Sequence, residues 1–305
     1  MFSPLTGKSD VQRIATYSPK IIAEKWKYSM GVDVGADFRS LPTIEYWKCL
    51  TTGLGWYAPP QAAGKGELYS QLETFNWYYM PDKWEFDVAL GLLEPGEHVL
   101  EVGVGFGHFL RAARNQGVLI DGVELNPSAA ELARSQGFEI YKIDLAHLSS
   151  EIDMQYDAIC SFQVLEHVAD PGGFLRDMLK NLRPGGRLIL SVPNAAVIRK
   201  IDPNNQNLLN QPPHHMSHWD SQVFRALENF FPVKVRSVHR ESLANYHIAW
   251  FVTGYLRSLF SGLSTTANRV LFNKYSTAPI CWLIKIGLNK WIPGHTLLVE
   301  LEKKI

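Results

Sequence analysis

Cysteine is scarce in this 305-residue chain: Cys49, Cys160 and Cys281 are the only three, and they lie far apart. No Cys-x-x-Cys pair exists, which argues against a zinc ribbon and a disulfide framework and makes a reducing, cytoplasmic compartment the expectation. An excess of one charge is lacking too. Lys plus Arg and Asp plus Glu each number 30, a net of +0. The basic surplus of a nucleic-acid binder is therefore missing, and nucleic acid is not an expected partner. No uninterrupted apolar run reaches the ~18 residues that would suggest a membrane span. The polar segment 1–20 lacks the apolar core of a signal peptide. Internal repeats and low-complexity runs are missing as well. What is present is ordinary: 46% hydrophobic and 20% charged residues, a composition able to bury a core. The length suits one large domain or a core with appendages.

Three zones follow one another. Residues 1–90 are aromatic and irregular, an N-terminal accessory or cap segment. Within it, 44–50 and 54–58 flank Thr51-Thr52-Gly53 and read as a small hairpin. Trp77, Tyr78, Tyr79 and Trp84 come next, with a helix expected over 81–92. Residues 91–240 alternate regularly. Strands are expected at 98–102, 119–124, 138–143, 156–162 and 187–192, and helices at 108–116, 127–136 and 173–182. Arg183-Pro184-Gly185-Gly186 reads as a turn before the fifth strand. This alternation predicts an α/β fold, a doubly wound parallel sheet with helices on both faces. Residues 241–292 form a helical insert, with Ile248, Phe251, Val252, Tyr255, Leu256 and Leu259 on one helical face and a second helix over 279–291. Residues 293–305 close the chain with a last strand for the core sheet.

The central signal is Glu101-Val102-Gly103-Val104-Gly105-Phe106-Gly107, where a strand ends and a helix begins. Glycines let the backbone take positive φ there and let a ligand approach. In an open α/β sheet the crevice at the strand carboxyl ends is the ligand site. Dinucleotide-binding domains use a glycine turn too, but their third glycine falls where this chain has His108. Glu101 would disfavour a pyrophosphate and suits a ligand bearing an ammonium group. Glu124 ends the next strand, where a carboxylate can accept both ribose hydroxyls at ~1.5–3 kcal/mol per charge-assisted bond. Leu125 then offers an apolar face to an adenine, and Asp144 follows the third strand, where it could accept from the adenine amino group.

These residues, with Ser161-Phe162-Gln163-Val164-Leu165-Glu166-His167, Arg183-Pro184-Gly185-Gly186 and Val192-Pro193-Asn194, resemble the class I S-adenosylmethionine-dependent methyltransferases. The resemblance covers about half the chain, namely the middle zone and the last strand. It implies a Rossmann-like, mostly parallel seven-stranded sheet, with an N-terminal aromatic cap and a helical insert before the last strand. It also implies S-adenosylmethionine as cofactor, held by Glu101, Gly103, Gly105, Gly107, Glu124, Leu125, Asp144, Leu145, Phe162 and Gln163. Tyr79 belongs with these, since related enzymes fold an N-terminal segment over the cofactor, where a ring gains ~0.5–2 kcal/mol against a sulfonium.

Methyl transfer to an alcohol or phenol needs a proton acceptor. Candidates are His167, in a Glu166-His167 pair, and His214 and His215 in Pro212-Pro213-His214-His215, with His215 preferred. The ubiquinone-type O-methyltransferases, which this region resembles, support a metal with Glu-x-x-Glu-His. Gln163 replaces the leading acid here, and no carboxylate or cysteine set completes a site around His214, His215 and His218, so no metal is expected. The expected reaction is methylation of a small-molecule or sugar acceptor, on a hydroxyl oxygen. The alternatives are a catalytically silent cofactor-binding or scaffold protein and an NAD(P)-dependent oxidoreductase. Arg257, Arg269, Lys274, Lys285 and Lys290 lie among the insert's aromatic residues, which suits a lid, a homodimer contact or peripheral contact with a membrane surface.

Overall fold

The computed structural model describes residues 1–75, 77–151 and 154–305. The N-terminal part contributes strands β1 (Val11–Tyr17), β2 (Ile44–Cys49) and β3 (Gly55–Ala58). The middle of the chain contributes β4 (His98–Val102), β5 (Leu119–Val123), β6 (Ile140–Tyr141), β7 (Tyr156–Phe162) and β8 (Leu182–Pro193). After these come β9 (Ser217–His218), β10 (Val233–Ser242) and β11 (Pro293–Lys303).

The core is a seven-stranded sheet in the order β10-β11-β8-β7-β4-β5-β6. Strands β4 to β8 pair in parallel, and β11 runs antiparallel to both β8 and β10. Side chains alternate across the sheet. Leu100, Ile159, Leu188, Leu190, Leu297 and Val299 enter one buried cluster, while Val99, Ala158, Cys160, Ile189 and Leu298 enter another. Both faces are thus dry, which is why these strands are continuous apolar runs rather than alternating ones. The helices Pro171–Asn181 and Ser221–Ala226 cover the first face through Met178, Leu179, Val223 and Phe224. The helices His108–Asn115 and Pro127–Ser135 cover the second through Phe109, Leu110, Ala130 and Ala133. This is the doubly wound α/β sheet that the alternation predicts.

Local differences from the sequence reading have physical causes. The third strand shrinks from 138–143 to Ile140–Tyr141, because it is the sheet edge and pairs with β5 alone. The expected turn at Arg183–Gly186 is taken up inside β8 as an irregularity, with Gly185 at φ 73° and a register shift opposite Tyr156–Ala158. The expected helix at 279–291 ends at Lys285, and a short turn of helix, Leu288–Trp291, resumes after Gly287 at φ 141°.

The N-terminal hairpin is present as β2 and β3, with Trp47 opposite Trp56. It belongs to a four-stranded sheet, β1-β2-β3-β9, whose last strand comes from beyond the core's fifth parallel strand. The His218 ring closes this junction, accepting or donating at Tyr46 Oη (2.8 Å) and bonding the Asn210 carbonyl (2.9 Å). Trp26, Ile44, Tyr57, Leu68 and Met216 form the buried core beneath. The cap is thereby stitched to the loop that carries His214 and His215.

Candidate active site

A single cavity of about 1590 Å³ runs along the carboxyl ends of the parallel strands. Ligand pockets are commonly ~300–1,000 Å³, so this one has room for two molecules side by side. One end is built on the glycine turn. Gly103 takes φ 86°, and a Cβ there would lie 2.4 Å from Val164 Cγ2. At Gly105, φ 53°, a Cβ would meet the Tyr79 ring at 3.1 Å. Side chains at either position would collide with or crowd these neighbours, and the positive φ favours glycine at both. Tyr79 lies over this turn, its ring 4.7 Å from that of Phe106.

Glu101 is 2% exposed, and its Oε2 is buried without a hydrogen-bond partner. Burial pushes its carboxyl well above the ordinary 4.5, with nearby Lys83 opposing and Glu124 adding to the rise. A buried acceptor left unpaired costs ~1–3 kcal/mol, and no protein group among the described residues offsets that cost at Oε2. Glu124 stands at the end of β5. Its Oε2 accepts from Gly105 N and its Oε1 from Asn126 N, both at 2.8 Å. Each oxygen keeps a further lone pair for a ligand hydroxyl. Leu125 is exposed to the cavity and Leu145 buried beneath it. Asp144 lines the same wall, with Oδ1 accepting from Ala146 N at 3.0 Å. Phe162 is buried at the end of β7, and Gln163 follows in a left-handed conformation (φ 56°), its Nε2 donating to Ser191 Oγ at 3.3 Å. Glu101, Gly103, Gly105, Glu124, Leu125, Asp144, Leu145, Phe162, Gln163 and Tyr79 all line one cavity. Gly107 caps the following helix at φ 72° without reaching that lining.

Farther along the same lining, beyond Tyr79 and Tyr78, two loops meet. The Glu166 carbonyl accepts from Met216 N (2.7 Å) and Ser217 N (3.0 Å), which draws the Pro-Pro-His-His segment onto the loop after β7. His214 and His215 then stack, and His167 meets both edge-on, with ring centroids 4.5–4.9 Å apart. Burial lowers all three imidazoles, His167 to about 4, and keeps them neutral. Burial drives the Glu166 carboxyl the other way, up to about 8, and neither of its oxygens has a hydrogen-bond partner among the described residues.

Several lining residues carry no sequence motif. Tyr69 packs edge-on against His167 at 5.7 Å, and Tyr78 lies 5.9 Å from His214. Glu85, Glu241, His247, Trp250 and His295 line the remaining wall. For Glu85 the only sequence signal is a carboxyl within an apolar helix, Trp84–Leu90, where it is 5% exposed.

The insert borders this wall through Tyr246, His247 and Trp250. Elsewhere on the insert large apolar side chains are exposed, Trp282 at 63% and Trp291 at 85%. Between Glu241 and Glu300 the sequence holds no Asp or Glu and five basic residues. No helix among the described residues is long and apolar enough to cross a membrane.

A sequence profile described as a methyltransferase domain matches residues 77–259. The ubiquinone biosynthesis O-methyltransferase of Xylella fastidiosa (strain 9a5c) is 35% identical over 105 residues, 32% of this chain and 43% of that protein. The enzyme of the same name from Xanthomonas campestris pv. campestris (strain B100) is 33% identical over 113 residues, 35% of this chain and 47% of that protein. The chain thus spans less than half the length of these relatives. Among solved structures, an S-adenosylmethionine dependent methyltransferase from Mesorhizobium loti is similar at 18% identity and TM-score 0.45, over 73% of this chain and 100% of that one.

Proposed function

We propose that this chain, which belongs to the class I S-adenosylmethionine-dependent methyltransferase family, methylates a hydroxyl oxygen of a small amphiphilic acceptor. The observation that carries this is one cavity with two differently equipped ends. The unpaired Glu101 carboxylate at the glycine turn suits the ammonium of the methionine part. Glu124 receives the ribose hydroxyls, Leu125 and Leu145 flank the adenine, and Asp144 accepts from its amino group. Tyr79 presents a ring to the sulfonium.

The acceptor then occupies the end lined by His167, His214, His215 and Glu166. Its oxygen attacks the methyl carbon, the carbon–sulfur bond breaks, and the sulfur leaves as a thioether. The hydroxyl proton passes into the histidine–glutamate cluster. Holding both reactants in line is worth effective molarities of ~10⁵–10⁸ M, and the cluster adds acid–base help of ~10²–10⁴-fold. An oxygen acceptor is supported by the relatives, which are O-methyltransferases by name.

The insert supports the amphiphilic character. Its exposed tryptophans are of the kind that settle at a membrane interface. Each of its five basic residues contributes ~1 kcal/mol near an anionic leaflet. Because Tyr246, His247 and Trp250 of the same insert line the cavity, an acceptor entering from a lipid surface meets the cluster directly. Two assays test the proposal. Labelled methyl from S-adenosylmethionine is expected on alkyl-chain phenols and alcohols in preference to their short-chain counterparts. The protein is also expected to float with phosphatidylglycerol vesicles and not with phosphatidylcholine vesicles. Cofactor binding without transfer to any hydroxyl compound would overturn the enzymatic reading in favour of a silent binding protein. A dimer in solution that ignores vesicles would make the apolar face a contact between copies.

A further inference from the structure

The four polar residues at the acceptor end make a combination that hydrogen bonding does not explain. The His167 Nδ1 bonds the His214 carbonyl at 2.6 Å, and the His214 Nδ1 bonds the Leu209 carbonyl at 2.9 Å. A carbonyl only accepts, so both Nδ1 atoms carry the proton and both Nε2 atoms are bare lone pairs. The His214 Nε2 and both Glu166 oxygens are buried with no hydrogen-bond partner among the described residues. The His215 ring has no protein hydrogen bond among the described residues. A proton shared between Glu166 and His167 does not resolve this, because Oε1 and Nε2 are 3.8 Å apart, beyond hydrogen-bond reach. The bare His167 and His214 nitrogens and the Glu166 carboxyl thus converge without a hydrogen bond joining them among the described residues, an arrangement that a bound cation would complete.

One ligand atom from each of His167, His214 and His215 fits within a span of 4.8 Å. Carbonyl bonds to the outer nitrogen, as at His167 and His214, are the support that metal-ligating imidazoles usually have. We propose that His167, His214 and His215 bind a divalent transition-metal ion, zinc or a close relative, with Glu166 as its neutralising carboxylate. Three neutral imidazoles with room for one more ligand form a donor set that suits zinc, with an open position. The inference rests on the cluster being the acceptor end of the cavity, and it places the open metal position where the hydroxyl would arrive.

The test uses the untagged full chain. Metal content is measured after purification, then after chelation and reloading with zinc. Cobalt(II) is titrated while the visible absorption of a tetrahedral nitrogen-rich site is followed. The expected result is one ion per chain. In His214→Ala and in His215→Ala, cobalt affinity is expected to fall by more than the ~10–100-fold that an outer-shell partner is worth. S-adenosylhomocysteine binding, at the other end of the cavity, should stay as in the parent and report a folded protein. Protein that binds S-adenosylhomocysteine yet takes up no zinc, cobalt or manganese would overturn the metal site and leave the methyltransferase reading standing. Stoichiometric metal with no methyl transfer to any hydroxyl compound would do the reverse.

Discussion

Glu101→Gln separates what a buried carboxylate does for the fold from what it does for the cofactor. Glu101 is 2% exposed with Oε2 unpaired, and burial holds its carboxyl well above 4.5. Below 4.5 the group is neutral in both folded and unfolded chains and costs nothing. As pH rises past 4.5 the unfolded chain ionises while the folded one keeps its proton. Stability of the cofactor-free protein therefore falls with pH until the folded value is passed. Glutamine fills the same space and never ionises. Its cofactor-free form should be more stable than the parent at neutral pH by ~1–3 kcal/mol, a rise in Tm on the order of several degrees for a chain of this size. Binding should move the opposite way. Loss of a charge-assisted contact with the ligand ammonium, ~1.5–3 kcal/mol, weakens S-adenosylhomocysteine by about 10–150-fold. The parent should also release a proton on binding, as the ammonium draws the carboxyl into its ionised form, and the variant should not. Calorimetric titration in two buffers of different ionisation enthalpy measures both. Unchanged affinity and unchanged proton release in Glu101→Gln, with a lowered Tm, would refute the assignment and make Glu101 a packing residue.

Three further outcomes follow from the same geometry. Glu124→Ala removes the proposed ribose acceptor and frees the Gly105 and Asn126 amides; S-adenosylhomocysteine affinity should fall about 10-fold or more by calorimetry, with a small loss of Tm. Gly103→Ala places a Cβ against Val164 at φ 86°, and thermal melts should show a loss of ~1–3 kcal/mol together with weakened cofactor binding. His215→Ala should lower kcat by ~10²–10⁴-fold while the affinity for S-adenosylhomocysteine stays within a few-fold of the parent.

The sheet was legible because its causes are local. Buried parallel strands are apolar runs, helices between them are amphipathic, and a glycine turn announces itself within seven residues, 101–107. Glu124 could be placed for the same reason, since a strand end fixes where its side chain goes. Contacts between distant segments were not legible. Nothing near Glu166 signals that its carbonyl accepts two amides from the loop after β8, so the union of His167 with His214, 47 residues on, left no trace in spacing. The pairing of β9 with β3 is equally non-local. It also explains His218, which the Pro-His-His segment placed beside the other two histidines and which instead joins the cap to the core through Tyr46 and Asn210. Tyr69 belongs to no pattern at all, and only folding carries it to His167.

The most direct measurement is calorimetric titration of the purified chain with S-adenosylhomocysteine and, separately, with NADH, repeated on Glu124→Ala. Micromolar binding of S-adenosylhomocysteine that weakens in the variant, with no heat from NADH, is the predicted result. Binding of NADH alone, or of neither ligand, would contradict the account.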